Sequence, residues 1–103
     1  MIARSWSAHA TITGAEAYIA YFRGTLLHKL QALDGHRGAL VLARNVGDDV
    51  QVTVLTFWES MASIGRFAGV DATAAVVEPE AQAVLKRFDA RVEHFDVLVD
   101  GRT

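Results

Sequence analysis

The segment Val50 to Trp58 carries apolar side chains on both of its faces, and this constrains the fold more than any other stretch. Alternation along a strand sends Val52, Val54 and Trp58 to one side, and Leu55 and Phe57 to the other. The preceding segment behaves alike, with Leu40 and Leu42 opposing Val41 and Ala43. Near the C-terminus Phe95, Val97 and Val99 oppose Val92 and Leu98. An antiparallel sheet with one wet face alternates apolar with polar residues. Helices on one side leave the other side bare, and the bare patch is larger than monomers usually expose. The pattern predicts a symmetric homodimer packed sheet against sheet.

The elements fall in a simple order. Ile2 to Thr11 reads as a first strand, with Ile2, Arg4, Trp6 and Ala8 on one face and Ala3, Ser5, Ser7 and His9 on the other. Thr13 and Glu16 have the spacing of a capping box. From there Ala15, Ile19, Phe22, Leu26, Leu30 and Leu33 recur at helical intervals, and Gly35 supplies the stop. Gly38 to Val46 and Val50 to Trp58 form a hairpin around Gly47-Asp48-Asp49. Ser60 caps a short helix that ends at Gly69, and Asp71 caps a turn over Ala72 to Val77. Pro79 opens a last helix, Glu80 to Phe88, and Arg91 to Val99 forms the final strand. The order β-α-β-β-α-β is the ferredoxin-like pattern: an α+β fold with an antiparallel sheet and helices on one side. At 103 residues the chain reads as a single domain, 1-103.

Composition excludes several function classes. The net charge is -2, with no basic patch, so no nucleic-acid partner is expected. Cysteine is absent, which removes disulfides, thiolate metal sites and a cysteine nucleophile. No apolar run approaches the ~20 residues of a membrane span, and the first residues lack the apolar core of a secretory signal. The expectation is a soluble, cytoplasmic protein with no membrane partner. The four histidines show no metal-ligand spacing, and no phosphate, flavin or nicotinamide fingerprint is present, so no metal and no bound cofactor are expected.

His9 and His94 fall on strands that neighbour each other in a ferredoxin-like sheet, and either titrates in the range of a general base. Each also fits a hydrogen-bonded structural role. His28 and His36 read as surface residues. Tyr18 and Tyr21 lie at the edge of the first helix, where a hydroxyl can hydrogen-bond a phenolate-like substrate or simply pack. Trp6, Trp58 and Phe67 are stacking surfaces for an aromatic ligand, or core aromatics.

Met1-Ile2-Ala3-Arg4-x-Trp6, Phe57-Trp58-Glu59-Ser60, Ile64, Phe67-Ala68-Gly69, Asp71, Ala75-Val76-Val77, Pro79 and Val92-x-His94-Phe95 together resemble the antibiotic biosynthesis monooxygenase domain family. The resemblance implies a dimeric α+β barrel of ferredoxin-like protomers, with a cavity between the sheet and the helices of each. It implies no single activity, because the family includes cofactor-free oxygenases of aromatic polyketides, quinol oxygenases and haem-degrading enzymes. Where the haem-degrading branch uses an Asn, a Trp and a ligating His, this chain holds Ser7, Phe67 and Val77. Tight haem binding is therefore not expected.

Two functions follow from this. One is a cofactor-independent monooxygenase acting on a small aromatic such as a phenol, quinol or polyketide-like compound. Its catalytic residues would be His9, His94 and Tyr21, and its substrate-binding residues Ser5, Ser7, Ile19, Phe22, Leu26, Trp58 and Phe67. In this arrangement Ser5 and Ser7 form the sheet-side floor, His9 stands at the rim, and Trp6 points to the dimer side. The other is a non-catalytic homodimer that binds a small apolar ligand, or a stress-associated one.

Overall fold

The computed structural model describes residues 1–102. Its element order is β1 (Ile2–Ala10), α1 (Ile12–Tyr21), a π-helical turn (Phe22–Leu26), α2 (Leu27–Gln31), β2 (His36–Val46), β3 (Asp49–Trp58), α3 (Met61–Ala68), α4 (Pro79–Gln82), β4 (Arg87–Phe88) and β5 (Glu93–Asp96). The strands form one antiparallel sheet in the order β2-β3-β1-β4, with β5 also paired to β1. This is the α+β, ferredoxin-like arrangement expected from the sequence, with β4 and β5 as two halves of one interrupted edge strand.

The hairpin forms as read. Val46 pairs with Asp49 across Gly47-Asp48, and Gly47 takes the positive φ that such a turn requires. The first helix starts earlier than the Thr13–Glu16 spacing suggests. Thr11 is extended, and its hydroxyl accepts from the Gly14 N–H at 3.0 Å, so the cap is filled two residues upstream. Ser60 caps α3 reciprocally with Ser63, and Gly69 ends it at φ 80°.

The expected last helix is mostly absent. It stops at Gln82, and Lys86 donates its N–H to the His9 carbonyl at 2.8 Å. The open edge of β1 captures the chain there, and Phe88 pairs with Ala8. A helix over 80–88 would leave that edge unpaired, which costs more than the local propensity gains. The final strand is shorter than Arg91 to Val99 for a related reason. Asp89 N still donates to Ser7 O, but residues 90–92 bulge away from β1 and meet the segment after α3, where Val92 N donates to Thr73 O and Ala75 N to Ala90 O.

The core lies between the sheet and the helices on one side of it. Trp58, Leu30, Ile64 and Val52 are its largest fully buried apolar side chains, joined by Tyr18, Phe22 and Leu26. On β1 the face turned to the helices is that of Arg4, Trp6, Ala8 and Ala10. Trp6 pairs with Val54 and packs on Tyr18, 5.9 Å between ring centroids. This reverses the facing expected for the first strand: Ser5 and Ser7 lie on the uncovered side and Trp6 on the inside. The register explains it, because Ile2 pairs with Trp58 and the even-numbered positions of β1 share the buried face of β3. The uncovered side carries Leu40, Leu42 and Phe95, which are 40%, 47% and 53% exposed. Phe57 on that side is buried beneath the Arg102 guanidinium, 3.7 Å from its ring. Among the described residues no helix is long and apolar enough to cross a membrane.

Two glycines test this account. Gly35 has φ 87°, and a Cβ there would strike the Ser63 side chain, whereas a Cβ at Gly24 meets nothing within 4 Å. In urea denaturation Gly24→Ala should raise stability by up to about 1 kcal/mol. Gly35→Ala should lower it by at least about 1 kcal/mol. Equal effects at the two positions would contradict the packing described.

Candidate functional site

A cleft opens between the sheet and the first helical stretch. Its inner wall is β1 and β3, through Arg4, Trp6, Val54 and Thr56. The helices supply Tyr18, Tyr21, Phe22, Leu26 and Leu30. Phe67 of α3 and the irregular residues Val76, Val77 and Glu78 close the end. The π turn begins at Phe22 and ends at Leu26, so the widened turn of the helix sits against the cleft, as such turns often do at functional sites. The enclosed void is about 50 Å³, and the whole cleft with its open mouth about 510 Å³. The lining is aromatic and aliphatic, with a few polar groups, which is the composition of a small-molecule site.

Arg4 is the most unusual of those groups. It is 4% exposed. Nη1 donates to the Ala72 carbonyl at 2.5 Å and Nη2 to the Ala74 carbonyl at 2.8 Å. Nη1 also stands 3.1 Å from His94 Nε2. Arginine has only donors, so Nε2 accepts and the imidazole proton of neutral His94 sits on Nδ1. Burial lowers the pKa of Arg4. Burial, and then the charge of Arg4, lower that of His94 and keep it neutral at pH 7. Phe67 lies under the guanidinium, 5.8 Å from ring centre to Cζ, and stacks on the fully buried Trp58 behind it. Trp58 in turn donates its indole N–H to Thr56 Oγ1 at 2.8 Å.

The two tyrosines are held protonated. Tyr18 is raised by burial and by Tyr21. Tyr21 is pushed up to about 12 by burial first, then by the Glu78 and Glu80 carboxylates. At neutral pH both present O–H donors. Glu78 stands at the mouth, paired with Lys29 at 3.0 Å.

The structure therefore brings together some of the residues expected at the site and separates others. Tyr21, Phe22, Leu26 and Phe67 line the cleft. Trp58 backs Phe67, and Ile19 is half-buried in α1 beside the lining without forming it. His94 is on the cleft side of β5, opposite Arg4 in the register. His9, Ser5 and Ser7 are on the opposite face, where Ser7 and Thr53 share a 2.9 Å hydrogen bond between hydroxyls. His9 is thus not at the rim. Sequence reasoning missed Arg4 and Glu78 as cleft residues, while Tyr18, named there beside Tyr21, does line the cleft. The signal for Arg4 was its place between Ile2 and Trp6 on one strand face. His36, read as a surface residue, has both ring nitrogens buried without a hydrogen-bond partner among the described residues, its ring edge-on to Trp58 at 5.1 Å.

No family model matches the chain, and no curated protein matches it. Solved structures do. A candidate antibiotic biosynthesis monooxygenase from Bacillus cereus superposes with a TM-score of 0.65 at 16% identity, covering 99% of this chain and 97% of that one. The haem degrader MhuD of Mycobacterium tuberculosis, with two haems in its active site, gives 0.61 at 20% identity, covering 97% and 98%. A single-residue variant of MhuD with two manganese protoporphyrin IX molecules per active site gives 0.58 at 20% identity over the whole of both chains. At these identities the likeness establishes the shared fold. The cleft offers a haem few of the usual iron ligands. Among the described residues its lining has no His, Cys or Met to ligate iron.

The histidines set a pH dependence. His36 is lowered by burial and then by Arg37, and His94 by burial and then by Arg4. The unfolded chain takes up protons near pH 6.5 while the folded chain resists. Their contribution is therefore present above about 6.5 and is lost as pH falls through the lowered folded values. The urea midpoint should drop on acidification from pH 7 to 5, and His36→Phe should flatten that drop. An unchanged midpoint across this range would contradict the burial of His36.

Proposed function

We propose that the chain is an oxygenase that needs no bound metal or flavin and acts on a small, electron-rich aromatic held in the cleft. The observation that carries this reading is a buried guanidinium set among aromatic walls, with protonated phenols at the other side of the same cleft. An ionised phenol or enol is the reductant in such chemistry. Loss of a proton gives a carbanion-like ring that passes an electron to dioxygen. With an anthrone, the ring methylene becomes a carbonyl carrying one oxygen atom, and its two hydrogens leave with the other as water. The field of Arg4 favours the ionised substrate, and Tyr21 donates to the developing oxyanion. His94 is the proton acceptor in this scheme, once its Nε2 is released by Arg4. His9 lies on the far face and takes no part. The fold shared with the antibiotic biosynthesis monooxygenase neighbour supports the general chemistry and leaves the aromatic substrate as our own reading.

Binding without turnover is the competing function, and one observation favours it. In the cleft as it stands, the lone pair of His94 Nε2 is taken by Arg4, and no imidazole is part of the lining itself. Oxygen uptake by metal-stripped protein with anthrones and hydroquinones decides between the two. Turnover should appear with at least one member of the panel. His94→Ala should then reduce kcat roughly 10²–10⁴-fold, and Tyr21→Phe should reduce it less. Ligand binding with no oxygen uptake across the panel would sink the oxygenase.

The uncovered sheet face leads us to propose a homodimer in the cytoplasm, with the Leu40, Leu42 and Phe95 faces of two copies in contact. Light scattering should give twice the chain mass of 11.2 kDa, and Leu42→Lys should shift it toward the single value. A stable monomer at micromolar concentration would contradict this.

A further inference from the structure

Arg4 is a cation in a largely apolar wall with no anion paired to it among the described residues. The ion pairs among the described residues are all made by other groups. Arginine is almost never fully buried unless paired. Two carbonyls and an imidazole nitrogen take three of its five donors. These are dipoles. They satisfy hydrogen bonds and leave a full positive charge beside the cleft. The Nε–H and one Nη2–H find no acceptor among the described residues. Nε and Nη2 are bonded to the same carbon, and a carboxylate takes one donor from each in the bidentate pair that guanidinium groups form.

The surroundings say what such a carboxylate is attached to. Trp6, Tyr18, Phe22 and Phe67 present ring faces and edges around the same space. The one carboxylate in the lining, Glu78, is at the mouth and is engaged by Lys29, so an entering anion does not meet a bare negative charge.

We propose that the cleft binds an aromatic carboxylate, its carboxylate on the free donors of Arg4 and its ring among Trp6, Tyr18 and Phe67. The inference deepens the function above and rests on it only in taking the cleft as a ligand site. An enclosed void of about 50 Å³ is smaller than the ~150 Å³ cavity that holds a benzene. A bound ring therefore extends from this void into the open mouth, along the irregular wall at Val76 and Val77. The start of that wall is what Arg4 holds, through Ala72 and Ala74. A carboxylate on Arg4 thus acts on the group that sets the width of its own site.

The test is calorimetric titration of the unaltered protein at pH 7 with 2-naphthoate and with 2-naphthamide, which has nearly the same shape and no charge. Naphthoate should bind roughly 10–100-fold more tightly, the range for hydrogen bonds to a charged group. Arg4→Gln should erase the preference, and Val77→Trp, which fills the cleft, should abolish binding of both probes. Should Arg4→Gln fail to fold, the two-probe comparison together with Val77→Trp still decides. Equal affinity for the two probes overturns the anion site and leaves the cleft as a ligand site. A naphthoate preference that survives Val77→Trp places the anion elsewhere and overturns the proposal. No binding of either probe overturns the proposal and the reading of the cleft together.

Discussion

The guanidinium of Arg4 is the constraint on which the rest of the site depends. It stands on the central strand, and its bonds run to three parts of the chain that are distant in sequence: the carbonyls of Ala72 and Ala74, the ring of His94, and the face of Phe67. The segment after α3 has almost no regular structure of its own. Its position comes from these bonds, from the two backbone bonds it exchanges with the bulge at 90–92, and from Arg91, whose Nη1 donates to Asp71 Oδ2 at 3.0 Å and to Thr73 Oγ1 at 2.6 Å. Burying a cation is expensive, and carbonyl dipoles offset the cost only in part. A structure that retains such a group gains either a fixed wall or a place for an anion, and here the geometry provides both.

The interrupted edge strand is the second half of the same device. Were residues 87–96 one regular strand, the carbonyl of Asp89 would be spent on the ladder. The bulge frees it to accept the indole N–H of Trp6 at 2.8 Å. Trp6 can then lie on the helix side of the sheet with its polar atom satisfied. The bulge also carries Val92 into the cleft wall and brings 90–92 against the segment that Arg4 holds. On the opposite side of the sheet the arrangement is simpler. Ser7 and Thr53 satisfy each other, Arg102 covers Phe57, and Leu40, Leu42 and Phe95 are left to a partner.

Much of the fold was legible from local rules. The hairpin followed from Gly47-Asp48 between two apolar runs, the first helix from its three- and four-residue spacing, and α3 from Ser60 and Gly69. The failures share one cause, which is competition from a distant element. Residues 83–88 have helical propensity, but the free edge of β1 takes them. Thr13 has a good capping partner in Glu16, but Thr11 reaches the Gly14 N–H first. The facing of β1 is not written in β1 itself, where tryptophan and arginine share one side and serines the other. It is set by a register with β3 that pairs Ile2 with Trp58, a long-range fact. Small residues suggest an open floor, and that reading sends Trp6, with Arg4 on the same strand face, to the dimer side. Once Trp6 was placed on the wrong side, Ser5, Ser7 and His9 went to the cleft and Arg4 left it.

The central claim is that Arg4, through its three hydrogen bonds, holds the cleft wall in place. Amide hydrogen exchange at Ala75 and Val92 in Arg4→Met, compared with the unaltered chain, tests it most directly. Both amides are bonded across the junction of the two segments, to Ala90 O and Thr73 O at 2.9 Å. The account predicts that the substitution removes their protection while the amides of Val52 and Val54 in β3 keep theirs. Unchanged protection at Ala75 and Val92 in a folded Arg4→Met protein would contradict it.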